Sequence, residues 1–212
     1  MRLYKLNESV FSIKGNTSGF LNGITSNTPD APQNAFLNQH GRIIATFRQK
    51  KISDVEFLIS VPTITKDNLL KHLERYAKLS HVSINPISQS TYIDLDTAQT
   101  VWPPQDHANS ISDEEFTLFR LKNNIPLMGV DYQAGEFILN VHEQDYVSYT
   151  KGCFLGQEPV AKVHNRAQPS RRLVVEYEDR CSPQEAAQMT SKITDPKTGR
   201  PKGFIFSPLP HR

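Results

Sequence analysis

Between Val55 and Leu95 the apolar residues change their spacing twice, and this limits the fold more than any other feature of the chain. Val55-Glu56-Phe57-Leu58-Ile59-Ser60-Val61 is almost continuously apolar, as in a central strand buried on both faces, and Pro62 closes it. Across residues 65–79 the spacing becomes helical, through Leu69, Leu70, Leu73, Tyr76 and Ala77. Asp67 stands in the first turn and Arg75 and Lys78 near the end, where the helix dipole favours them. Residues 82–85 and 91–95 then read as strands, so the first half predicts an α+β fold.

The flanking segments fit that class. Residues 11–13 form a short strand, and Asn16 is a good N-cap for a helix that packs Phe20, Leu21 and Ile24 inward. Apolar runs at 34–37 and 42–48 enclose Asn38-Gln39-His40-Gly41, the pattern of a β-hairpin. Residues 101–110, with Pro103 and Pro104, read as a loop or lobe boundary. Ser112 and Glu115 form a capping box ahead of Phe116, Phe119 and Leu121. Residues 135–139 and 146–149 look strand-like, and a helix follows over 157–163 with Pro159 in its first turn. Beyond Pro169, apolar runs at 172–177, 188–193 and 203–206 predict a short antiparallel β appendage. The expected division is a region of residues 1–167, in two lobes parted near 101–110, followed by a small β region of 168–212.

Composition narrows the function. A formal charge of +2 on 212 residues is too small to drive non-specific nucleic-acid binding. No apolar run reaches the roughly 20 residues of a membrane span, and the first residues carry no signal-peptide pattern, so a cytoplasmic monomer is expected. The two cysteines, Cys153 and Cys181, lack a CxxC spacing and are expected to be free thiols, too few for an iron–sulfur cluster held by one subunit. No P-loop, G-x-G-x-x-G, H-E-x-x-H or G-x-S-x-G occurs, which removes nucleotide hydrolysis, dinucleotide cofactors and the common hydrolases.

The chemistry concentrates in Lys151-Gly152-Cys153-Phe154-Leu155-Gly156-Gln157-Glu158. A lysine and a helix start beside a thiol favour the thiolate, which makes Cys153 a candidate reactive cysteine against the simpler reading of a small buried hydrophobe. Lys151 is a candidate to tune that thiol or hold an anion, or is a solvated lysine. Gln157 and Glu158 can hydrogen-bond a ligand or cap the helix. Arg120 can bind a carboxylate through its fork or complement its helix dipole. His142 and Glu143 invite a metal reading, yet one His and one Glu do not make a site. Lys162, His164, Arg166, Arg171 and Arg172 are the only basic cluster, explained by a solvated surface or, more sharply, by an RNA-contact face.

The order K-G-C-[FY]-x-G-Q-E closely resembles the signature of the YgfZ/GcvT-related family of folate-binding proteins. Gly15 to Gly23, the pair Gly41-Arg42, and Arg120 with Asn124, Pro126 and Gly129 are similar to its other landmarks, in the same order. The chain departs from the pattern at Asn16-Thr17 in place of Asp-Ala, at Asn124 in place of glycine, at Lys162 in place of arginine, and at Ala167 in place of glycine. The resemblance implies an aminomethyltransferase-like folate-binding domain with a truncated C-terminal barrel. It implies tetrahydrofolate as cofactor, a cleft with Cys153 as key thiol at or near its wall beside Lys151, and Gln157, Glu158, Arg120 and Lys162 as folate contacts. Iron–sulfur enzymes or assembly proteins are the implied partners, and tRNA modification is supported through them. The chain then reads as an accessory factor more than a conventional enzyme. The alternatives are a tetrahydrofolate-dependent aminomethyltransferase of the glycine-cleavage type and a non-catalytic RNA-associated protein.

Overall fold

The computed structural model describes residues 2–108 and 110–209, so the outermost residues of the expected N- and C-terminal regions, and Asn109 of the expected boundary loop, lie outside the described residues. An antiparallel sheet of five strands forms the first layer: β2 (Glu8–Gly15), β3 (Gln33–Leu37), β4 (Ile43–Ser53), β5 (Glu56–Pro62) and β6 (Val82–Ile87), in the order β3-β4-β5-β2-β6. The apolar run at 55–61 is therefore the middle strand, as its composition predicts. On one face Phe11, Ile13, Phe47, Phe57 and Ile59 pack with α1 (Thr17–Ile24) and α2 (Lys66–Leu79), which contribute Phe20, Leu21, Leu69 and Leu73. The alternate residues Ser12, Thr46, Arg48 and Ser60 are buried too, because the opposite face is covered by later parts of the chain.

A smaller sheet joins β1 (Leu3–Lys5), β7 (Tyr92–Asp94) and β8 (Gln99–Val101) in the order β1-β7-β8. It shares a cluster with Phe116 of α3 (Asp113–Lys122). Ser112 caps α3 by accepting from the Glu115 N–H, while the Glu115 carboxylate turns to Arg2. Then come α4 (Glu143–Tyr146), α5 (Gln157–Arg166), β9 (Arg171–Tyr177), α6 (Pro183–Ala187), β10 (Thr190–Thr194) and β11 (Pro201–Pro208). The last three strands form an antiparallel sheet in the order β10-β11-β9, and among the described residues it does not close into a barrel. Leu173 and Phe204 of this sheet share one core with Ala35, Leu37 and Ile43 of the first layer.

Two strand readings are corrected. Residues 135–139 make a single bridge, Arg42 to Phe137, and then turn in a 3₁₀ segment over Ile138–Asn140. Ile138 and Leu139 are apolar because both are enclosed by the core, and a short apolar run does not tell strand from turn. Tyr146 ends α4, and the stretch after it runs extended along Ser26 without a ladder, through Ser148 N–H to the Ser26 carbonyl at 2.9 Å. The helix α6 also has a signal that the sequence reading passes over: Ser182 and Glu185 form a full capping box with Pro183 at the helix start.

The layers are tied by Asp131, whose carboxylate accepts from Arg120 Nη1 at 2.6 Å, Leu127 N–H at 2.8 Å, Thr190 Oγ1 at 2.9 Å and Ser191 Oγ at 2.5 Å. The side chains of Arg120 and Asp131 are 4% and 0% exposed. Asp131→Ala is expected to lower stability by about 3–5 kcal/mol in denaturant melts, the cost of leaving a buried charge unpaired. Arg120→Met combined with Asp131→Leu should recover only part of it, since Leu127, Thr190 and Ser191 still lose their acceptor; full recovery would contradict the role assigned to these donors.

Candidate functional site

Three of the sequence landmarks converge on one seam. Gly156 adopts φ 84° at the start of α5, and a Cβ there would sit 2.4 Å from the Asn38 carbonyl and 3.3 Å from the Gly41 Cα. Gly41, at φ 71°, leaves equally little room, since a Cβ would meet Phe137 at 2.8 Å and Val160 at 2.9 Å. Glycine against glycine thus seats the first turn of α5 on the β3–β4 turn. Next to it Leu155 N–H donates to the Gly23 carbonyl at 3.0 Å, which brings in the end of the first landmark. Asn124, where the family pattern has glycine, has φ 52°, a conformation asparagine tolerates better than most residues.

Cys153 is exposed on the loop that enters this seam. Lys151 is half-buried: its ammonium donates to the carbonyls of Thr25 at 2.6 Å and Asn27 at 2.8 Å and lies 5.3 Å from the centre of the Phe154 ring. Burial without a carboxylate partner pulls its pKa down to about 8. Gln157 is half-buried as the first residue of α5, whereas Glu158 and Lys162 are exposed on that helix. Arg120 stands apart from the seam, committed to Asp131, Ser191 and the Ile125 carbonyl. Glu143 is held by His164 at 2.6 Å and Tyr149 at 2.5 Å, and His142 faces Asp145 at 2.6 Å. Among the described residues no group of three or more His, Cys, Asp or Glu is placed to hold a metal ion, and no helix is long and apolar enough to cross a membrane.

A cavity with a volume of about 180 Å³ lies elsewhere, between the five-stranded sheet and the loop of residues 126–132. Its polar wall is Glu8, Thr46, Arg48, Tyr132 and Tyr146, and Met128 and Pro126 supply apolar surface. Glu8 pairs with Arg48 and accepts from Ser60 Oγ at 2.6 Å, and burial raises the carboxyl's pKa against the pull of Arg48. Thr46 Oγ1 and the Tyr132 hydroxyl are 2.7 Å apart, and burial raises the pKa of both Tyr132 and Tyr146, so the hydroxyls stay protonated. Ile64 and Val130 also line the cavity and are 72% and 50% exposed, an apolar rim.

None of Cys153, Lys151, Gln157, Glu158, Lys162 and Arg120 lines this cavity. Cys153, expected at or near the wall of a folate cleft, is exposed to solvent and does not line this cavity. Sequence reading missed Glu8, Arg48, Tyr132 and Tyr146. The available signal was Arg48, a cation inside the apolar hairpin strand at 42–48 that needs a buried partner.

No protein-family profile matches the chain, and no curated protein matches it by sequence. Among solved structures the chain is similar to the glycine cleavage system aminomethyltransferase T from Bartonella henselae. The TM-score is 0.70 at 11% identity, covering 97% of this chain and 78% of that one. At that identity the likeness is one of fold, and it establishes an aminomethyltransferase-like architecture along nearly the whole chain.

The lysine anchor has a pH signature. Lys151 loses its proton at about 8 when folded, but near 10.4 when unfolded. Between those values the unfolded chain binds the extra proton, so stability rises with pH across the window. Denaturant melts from about pH 8 to pH 10 should show this rise in wild type relative to Lys151→Met. A difference that stays flat would contradict the buried anchor.

Proposed function

We propose that this chain is a cytoplasmic folate-binding protein that supports assembly or repair of iron–sulfur enzymes and, through them, tRNA modification, with Cys153 as its working thiol. The observation that carries the reading is the combination of the aminomethyltransferase-like fold with a cavity walled by a buried carboxylate and two buried phenols. A pterin presents adjacent N–H donors and acceptors along one edge. The Glu8 carboxylate can accept from it, and the protonated hydroxyls of Tyr132 and Tyr146 can donate or accept.

The cavity fits such a ligand by its head. At about 180 Å³ it is smaller than the roughly 300–1,000 Å³ of pockets that enclose a drug-sized molecule, so a pterin ring would enter and the rest would leave over Ile64 and Val130. That apolar rim suits an aromatic linker. Bound tetrahydrofolate would supply a carrier of one-carbon units. The protein's own part is to orient the ring between Glu8 and the tyrosines and to exclude water with Met128, Pro126 and the sheet.

An exposed thiol away from the cavity suits exchange with a partner protein better than chemistry on an enclosed ligand. Glu158 and Lys162, exposed on the helix that follows, belong to the same proposed partner face. The second reading, a glycine-cleavage aminomethyltransferase, is favoured by the name of the structural neighbour alone.

Complementation of a deletion strain tests the proposal. Cys153→Ala should leave iron–sulfur enzyme activity at the level of the deletion while changing stability by no more than about 1–2 kcal/mol, as expected for a small exposed side chain. Cys181→Ala should behave as wild type, and aminomethyl transfer with a lipoyl-carrier substrate should be undetectable. Full complementation by Cys153→Ala, or failure only through unfolding, would make the thiol structural. Robust glycine-cleavage activity would favour the second reading.

A further inference from the structure

We propose, resting on the folate reading of the Glu8 cavity, that Arg48 makes this cavity selective for a ring with a lactam edge, an N–H beside a C=O. It then takes a 4-oxo pterin and rejects the 4-amino form of the same ligand.

The fold places an ion pair where one is costly. Arg48 on β4 and Glu8 on β2 are separated by β5, and Ser60, opposite Arg48 in the register, is small enough for the two side chains to meet over it. The side chains of Arg48 and Glu8 are 8% and 6% exposed, and both residues line the cavity. A buried pair of this kind is often no more stable than apolar residues of similar volume, so packing alone does not explain it.

The bonds within the pair leave a defined remainder. Arg48 Nη1 donates to Glu8 Oε1, and Glu8 Oε2 accepts from Ser60 Oγ, which Thr91 Oγ1 reaches at 2.7 Å. Among the described residues Arg48 Nε and Nη2 make no hydrogen bond, and neither atom is sealed from solvent. A carboxylate oxygen accepts more than one bond, so Glu8 keeps acceptor positions as well. Burial raises the pKa of the Tyr146 phenol while the Arg48 charge pulls against it, so the guanidinium stands within electrostatic reach of the phenol wall.

The pair therefore offers the cavity an acceptor beside donors. A 4-oxo pterin matches it, with the ring N–H donating to Glu8 and the carbonyl accepting from Arg48. In the 4-amino form the same ring nitrogen turns a lone pair to the carboxylate, and the amino N–H groups meet those of Arg48. Both contacts become repulsive. Turning the ring over to set a protonated nitrogen on Glu8 brings a second cation against Arg48.

Calorimetric titration of wild type with tetrahydrofolate and with its 4-amino-4-deoxy counterpart tests the selectivity, together with the NMR signal of the Arg48 Nε–H. Tetrahydrofolate should bind about a hundredfold more tightly, the margin of two hydrogen bonds, and it alone should move the Arg48 signal. Arg48→Met should narrow the ratio to about tenfold or less. If tetrahydrofolate binds but the 4-amino ligand binds as tightly, or the Arg48 signal stays in place, the lactam selectivity falls and the folate reading stands. An unchanged ratio in a folded Arg48→Met variant overturns it too. Should that variant fail to fold, the wild-type ratio and the Arg48 signal decide. Binding of neither ligand would remove the folate reading and the selectivity with it.

Discussion

The Asp131 carboxylate is the interaction on which the cavity depends. Its four donors come from α3, from the loop at Leu127 and from β10, so one buried anion fixes three parts of the chain relative to each other. The loop it holds supplies Pro126, Met128, Val130 and Tyr132 to the cavity wall. Within that loop Gly129 N–H donates to the Tyr132 carbonyl at 2.7 Å, and Met128 Sδ receives the Thr46 N–H at 3.4 Å. A charge that needs every donor it has gives this wall one position, which is what preorganised binding requires.

The cavity and the thiol loop are joined by a short stretch of backbone. Tyr146 lines the cavity, and its carbonyl accepts from Ser26 Oγ at 2.6 Å. Two residues on, Ser148 is bonded to Ser26, and three further on Lys151 is bonded to Thr25 and Asn27. The segment at residues 25–27 therefore holds both ends of the run from the cavity wall to Cys153. Loss of the Lys151 anchor would free the thiol end first, since Tyr146 keeps its own bond to Ser26 and its place in the core.

Much of the first sheet was legible because its physics is local. The periods at 55–61 and 65–79 depend on which side of each element faces the core, and a reader of the sequence sees both. The landmark glycines were legible as a pattern, while their reason, Gly156 lying on Gly41, becomes visible only when residues more than a hundred positions apart are in contact. The cavity was illegible for the same cause. Glu8, Tyr132 and Tyr146 each sit in unremarkable local sequence, and Arg48 signals a buried partner without naming it, so only the covering of the sheet's second face makes them a group. Arg120 was read as a binder of carboxylate, and it does bind one, but the carboxylate is the chain's own Asp131.

The central claim, that the Glu8 cavity takes the head of a folate, meets its most direct test in calorimetric titration with tetrahydrofolate of wild type and Val130→Trp. Val130 is half-exposed at the rim, so a larger side chain there obstructs the mouth without entering the core. Saturable binding by wild type, weakened at least about tenfold in a variant with unchanged melting, is the expected result. No binding by wild type, or equal binding by both proteins, would contradict it.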